Sequence, residues 1–96
     1  VPFLRYQDGL GVHYVELGKK DRLVIGRDKG CDVALNDTQA SRQHCEIKKL
    51  PGGFLVNDLN SKNGTLINGK KVGSWTLKDD DVLTVGGTVL VYRLSR

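Results

Sequence analysis

Short runs of alternating apolar and polar residues, broken by turn residues about every 8–12 positions, mark this chain as β throughout. The pattern predicts strands at 3–6, 12–17, 22–26, 32–35, 43–50, 54–58, 66–67, 70–72, 75–77, 82–85 and 88–94. Asp8-Gly9, Gly18-Lys19-Lys20-Asp21 and Pro51-Gly52-Gly53 supply the breaks. The strongest local signal is Asn68-Gly69 between two short extended arms, because a type I′ hairpin turn needs positive φ at both central residues. Within 43–50, Cys45 and Ile47 point to one face while His44, Glu46 and Lys48 point to the other. The runs 82–85 and 89–92 are apolar enough to be buried on both faces, which places them centrally. Twelve glycines, each costing about 1 kcal/mol inside a helix, leave no window with a helical period. The expected fold is an antiparallel β-sandwich of about eleven strands.

Ninety-six residues make one domain, spanning 1–96, and the absence of an initial Met suggests a segment excised from a longer protein. No apolar run approaches the roughly 20 residues that span a bilayer, and no signal peptide is visible. A soluble, intracellular domain follows, cytoplasmic or, in a eukaryote, nuclear. The net charge of +4 favours an anionic partner, yet Lys and Arg are interleaved with Asp and Glu. Nucleic-acid binders want a denser basic stripe with stacking aromatics, and Tyr6, Tyr14 and Tyr92 are too scattered for that. Cys31 and Cys45 suit a reduced compartment better than a disulfide scaffold. With His13 and His44 they match no zinc spacing, so neither metal nor cofactor is expected.

The chemistry lies where strands give way to turns. Gly26-Arg27, Ser41-Arg42-Gln43-His44 and Lys62-Asn63-Gly64-Thr65 supply two guanidinium groups, a hydroxyl, an ammonium and an amide. No acid joins them at a useful spacing. Such a set grips an anion and leaves it unchanged. Ser41 and His44 invite a nucleophile–base reading, but no third group or oxyanion site accompanies them. No enzyme activity is expected. Cys45 reads as a small core residue, and Trp75 as a core or edge anchor.

These segments, in this order on an all-β chain, resemble the forkhead-associated (FHA) domain. Flanking residues agree: Cys31-Asp32-Val33-Ala34-Leu35, Asp58-Leu59-Asn60-Ser61, Asn68-Gly69 and Leu83-Thr84-Val85-Gly86. The resemblance covers about residues 22–92 and implies a monomeric FHA/SMAD-like sandwich that binds phosphothreonine peptides through loops at one end, in kinase-linked signalling. It implies phosphate contacts from Arg27 and Ser41, an added contact from Arg42, and a hold on the peptide backbone from Asn63. Lys62 stands where the family often has Ser or Thr, replacing a hydroxyl by a longer cation, and a phosphate contact is expected from it as well. His44 is implied to brace the serine loop from inside. Gly26, Gly64, Thr65, Asn68 and Gly69 are expected to shape and support the site. Arg42 and Lys62 together point to an acidic preference near the phosphothreonine.

A phosphoryl group brings about −1.5 to −2 charges and three acceptor oxygens. Each charge-assisted hydrogen bond contributes about 1.5–3 kcal/mol, so three of them approach the roughly 8 kcal/mol of micromolar binding. The phosphate is therefore expected to be necessary. Two other readings compete: a domain of this fold that binds protein without phosphate, and a basic β-barrel that binds nucleic acid. Topology raises a further question. In a simple meander the Arg27 loop lies at the opposite end from the Ser41 and Asn63 loops, and a switch of sheets would be needed to bring it back.

Overall fold

The structure, a computed structural model, describes residues 1–95. Eleven strands follow one another: β1 (Phe3–Asp8), β2 (Gly11–Glu16), β3 (Arg22–Gly26), β4 (Val33–Ala34), β5 (Cys45–Leu50), β6 (Gly53–Asp58), β7 (Thr65–Ile67), β8 (Lys70–Val72), β9 (Ser74–Thr76), β10 (Val82–Val85) and β11 (Thr88–Arg93). They form a six-stranded sheet ordered β2-β1-β11-β10-β7-β8 and a five-stranded sheet ordered β4-β3-β5-β6-β9. Leu4, Tyr6, Leu83, Val85, Leu90 and Tyr92 of the first sheet join Ile25, Cys45, Ile47, Phe54 and Val56 of the second in one core. Asn68 (φ 50°) and Gly69 (φ 85°) make the hairpin turn that their sequence requires.

Two expectations about faces need correction. Strands β10 and β11 are central, but they are not buried on both faces: Leu83 and Leu90 are fully enclosed, whereas Val89 is 49% exposed. Their sheet is covered on one side only, so alternate positions meet solvent. Strand β5 starts at Cys45 rather than at 43, because Ser41–His44 is bent into a loop around the His44 ring. Glu46 does take the face opposite Cys45, yet it is buried too. Arg22 and Asn57 bond its carboxylate, and Lys48 lies 3.8 Å away, so the charge is paired where it leaves water.

One connection decides where the loops lie. Strand β4 pairs with β3 in parallel, Ile25 against Val33 and Gly26 against Ala34. The intervening segment doubles back along β3, held by the Asp32 carboxylate, which accepts from the Val24 amide at 2.8 Å. Both strands therefore end at the same end of one sheet. No switch of sheets is involved. The same end carries Cys45 opposite Asp58 and, in the other sheet, Thr65 opposite Val85. The Arg27 loop, the 35–44 loop, the 59–64 loop and the Gly86-Gly87 turn converge there.

Candidate functional site

Close approach of backbones builds the floor of this end. A β-carbon on Gly26 would lie 2.1 Å from the Arg42 carbonyl oxygen, so only glycine admits the 41–42 segment against β3. The Arg27 amide then donates to the Ser41 carbonyl (2.9 Å) and the Asp28 amide to the Arg42 carbonyl (3.1 Å). Arg27 is exposed, but its Nε donates to the Ala40 carbonyl at 3.1 Å. One edge of the guanidinium is pinned, and its terminal nitrogens are left to face a ligand.

Ser41 and the 59–64 loop are locked together. The Ser41 Oγ accepts from the Lys62 amide at 2.9 Å, which uses a lone pair and leaves the hydroxyl proton to donate. Asn63 Nδ2 donates to the Gln39 carbonyl at 2.9 Å. Beneath them His44 is fully buried. Its Nδ1 accepts from the Ser41 amide (3.0 Å), so Nε2 carries the proton and donates to the Gly64 carbonyl (2.8 Å). Both ring nitrogens are committed to main chain, and neither faces the Ser41 hydroxyl as a base would.

Arg27, Ser41, Arg42, Lys62 and Asn63 line one cleft of about 340 Å³, together with Thr38, Gln39 and Ala40. Among the described residues no carboxylate lines it. Larger concavities of about 700 and 420 Å³ flank Tyr14 on the outer face of β1 and β2, the second reaching β11. They draw on sheet positions rather than on the convergent loops, so size and polar convergence separate here. Gly26, His44, Gly64 and Thr65 sit around the cleft floor. Asn68 and Gly69 do not: β7 begins at the cleft and ends three residues on, so its turn lies at the far end of the hairpin. There Asn68 bonds Asp81 and the Val82 amide.

Three supports have roles that were not read from the sequence. Asp37 accepts from the Gly87 amide (2.8 Å), the Thr88 hydroxyl (2.7 Å) and the Gln39 amide (2.9 Å), tying the 35–44 loop to the β10–β11 turn. Gly86, at φ 62°, lets that turn approach: its β-carbon would stand 2.6 Å from the Ala40 nitrogen. Asp two residues before a turn amide is a legible Asx signal, but its bond to residues some fifty positions on is not.

Asp58 is the third support. Burial pushes its carboxyl up, but the Ser61 and Thr65 hydroxyls and the Ser61 amide outweigh this and hold it below the usual carboxylate range. A lowered folded-state pKa stabilises the fold above the unfolded value of about 4, and that stability is lost as pH falls through the folded value. Melting followed by circular dichroism from pH 7 down to pH 2 is expected to show the midpoint falling below about pH 4. Asp58→Asn should lower the midpoint at pH 7 and flatten its acid dependence; an unchanged slope would remove Asp58 from this role.

An all-β sandwich with three cations, a hydroxyl and an amide around an acid-free terminal cleft defines an anion-recognising loop-end module. The sequence profile of the FHA domain matches residues 23–86. The chain belongs to the FHA domain family. It is 37% identical over 91 residues to the FHA domain-containing protein FhaA of Mycobacterium tuberculosis, covering 95% of this chain and 17% of FhaA. The fold superposes with TM-score 0.88 on the FhaA FHA domain crystallised with the intracellular domain of Rv3910, at 35% identity, covering 97% of this chain and all of that one. A structure solved in a study of phosphothreonine-dependent FHA domain interactions superposes with TM-score 0.85 at 33% identity, covering 99% and 97%. The chain thus spans a small part of the FhaA protein's length.

Proposed function

We propose that this chain is a phosphothreonine-dependent protein-interaction module. The observation that carries the reading is that Arg27, Ser41, Arg42, Lys62 and Asn63 meet in one cleft with no carboxylate among its described lining residues. The FHA family is one of interaction modules rather than enzymes, and the site chemistry agrees: His44 is spent on main-chain bonds. In the proposed complex the Arg27 terminal nitrogens take two phosphate oxygens and the Ser41 hydroxyl takes a third. Arg42 and Lys62 add charge at the rim, and the Asn63 amide, already turned toward Gln39, holds peptide backbone. The pre-bonded loops lower the ordering cost of binding.

Residues 1–96 act in this proposal as one module of a longer, intracellular protein. Among the described residues no helix is long and apolar enough to cross a membrane. The test is a calorimetric titration with one peptide in three forms: phosphothreonine, phosphoserine and unmodified threonine. Micromolar binding of the phosphothreonine form is expected, with weaker binding of phosphoserine and none of the unmodified peptide. Equal binding of modified and unmodified forms would instead support the phosphate-independent interaction domain.

A further inference from the structure

Gly64 carries a second message. At φ 85° it follows Asn63, and a β-carbon there would lie 2.5 Å from Lys71 Cε, 3.0 Å from Cδ and 3.1 Å from Cγ. The Lys71 stem is therefore laid across the backbone of Gly64, the residue that follows Lys62 and Asn63. The hairpin sets this path. Its Asn68-Gly69 turn pairs Leu66 with Lys71, which orients β8 back toward the cleft. Lys71 does not line the phosphate cleft itself.

The surrounding charge is unbalanced. Several cations elsewhere have acids, Lys20 with Asp32, Arg22 with Glu46, and Arg93 with Asp79 and Asp80, although Arg5 and Lys29 are not among them. Strands β7 and β8 and the 59–64 loop hold Lys62, Lys70 and Lys71 and no Asp or Glu. The nearest carboxylate in sequence, Asp58, is consumed by Ser61 and Thr65. Among the described residues no acceptor bonds the Lys71 ammonium. Because Lys71 does not line the cleft, a phosphate held by Arg27 and Ser41 would leave its charge without a direct partner.

We propose that Lys71, with Lys62, forms a second anion subsite beside the phosphate cleft, which selects phosphothreonine peptides carrying a further carboxylate or phosphoryl group along the chain. The proposal rests on the phosphothreonine reading of the cleft. Gly64 then has two roles: it shapes the turn, and it gives the Lys71 stem a surface to lie on. The subsite reads charge rather than shape, since Lys ammonium groups bind as point charges.

The test uses four peptides of equal length on the wild-type chain. One is a phosphothreonine peptide with neutral flanks. The second and third add an Asp scanned through the flanking positions or a second phosphothreonine. The fourth is the acidic peptide without phosphate. At low salt the wild type is expected to favour the best acidic-flank peptide over the neutral one about three- to fivefold, the reach of one exposed ion pair. The doubly phosphorylated arm shows whether carboxylate or phosphoryl is preferred. In Lys71→Gln, which keeps the stem and removes the charge, that ratio should fall toward the remainder that Lys62 supplies, and Lys71→Arg should restore it. A ratio unchanged by Lys71→Gln, or no acidic preference at any position, overturns the subsite. Failure of the neutral phosphopeptide to bind wild type, or equal binding of the unphosphorylated acidic peptide, overturns the underlying phosphothreonine reading instead.

Discussion

Arg27→Ala is expected to weaken binding of a phosphothreonine peptide at least ~100-fold while the domain stays folded. Two charge-assisted hydrogen bonds at about 1.5–3 kcal/mol each set that scale, and 1.4 kcal/mol is tenfold. The folded state loses little, because the side chain is exposed and makes one hydrogen bond, from Nε to the Ala40 carbonyl. Such a bond contributes about 0.5–1.5 kcal/mol. Arg27→Lys separates charge from geometry. It keeps the positive charge but gives up the planar fork and the Nε pin, so its affinity should fall between wild type and alanine. Calorimetry with the same peptide, beside a thermal melt of each variant, reads both quantities. Retention of affinity in Arg27→Ala would mean that Ser41, Arg42 and Lys62 hold the phosphate without Arg27.

The folding pattern was legible in the sequence because strands announce themselves locally. Alternation over residues 43–50 and turn chemistry at Asn68-Gly69 are short-range signals; the turn is realised, and the strand forms from Cys45 to Leu50 with Glu46 buried as well. Faces were harder. Val89 and Val91 look like buried residues, but whether a second layer covers them depends on a partner sheet that local pattern does not reveal. The convergence of the Arg27 loop was illegible for the same reason. Nothing in residues 27–35 declares that β4 turns back parallel to β3, because parallel pairing of a two-residue strand leaves no periodicity. Within the site, Arg27, Ser41 and Asn63 carried their own donors and stood out. Asp37 and Asp58 looked like ordinary turn acids. The role of Asp37 appears only when Thr88 arrives from some fifty positions on, and that of Asp58 only when the 59–64 loop folds back to bring Thr65, seven positions on, against it. Lys71 was hidden most completely, since its place depends on hairpin register and on the missing side chain of Gly64.

Removing the His44 ring attacks that assembly from below, and His44→Ala is expected to cost about 3–5 kcal/mol of stability. The Ser41 amide and the Gly64 carbonyl both lose their partner. Each buried polar group left unpaired costs about 1–3 kcal/mol, and the vacated ring volume adds a cavity term. A domain of this size melts about 4–8 °C lower per kcal/mol, so the midpoint should drop by about 12–40 °C. Binding should weaken as well, measured at a temperature where the variant is still folded. The ring joins the residue that presents a hydroxyl to the loop that presents Lys62 and Asn63, so its loss frees two halves of the cleft to drift apart. Ser41→Ala gives the contrasting pattern: it removes the phosphate donor and the Lys62 acceptor but leaves the ring and both its bonds in place. Its affinity should fall steeply with a much smaller loss of melting temperature. If His44→Ala melted like wild type, the ring would not be a brace, and the coupling between stability and binding drawn from its two main-chain bonds would fail.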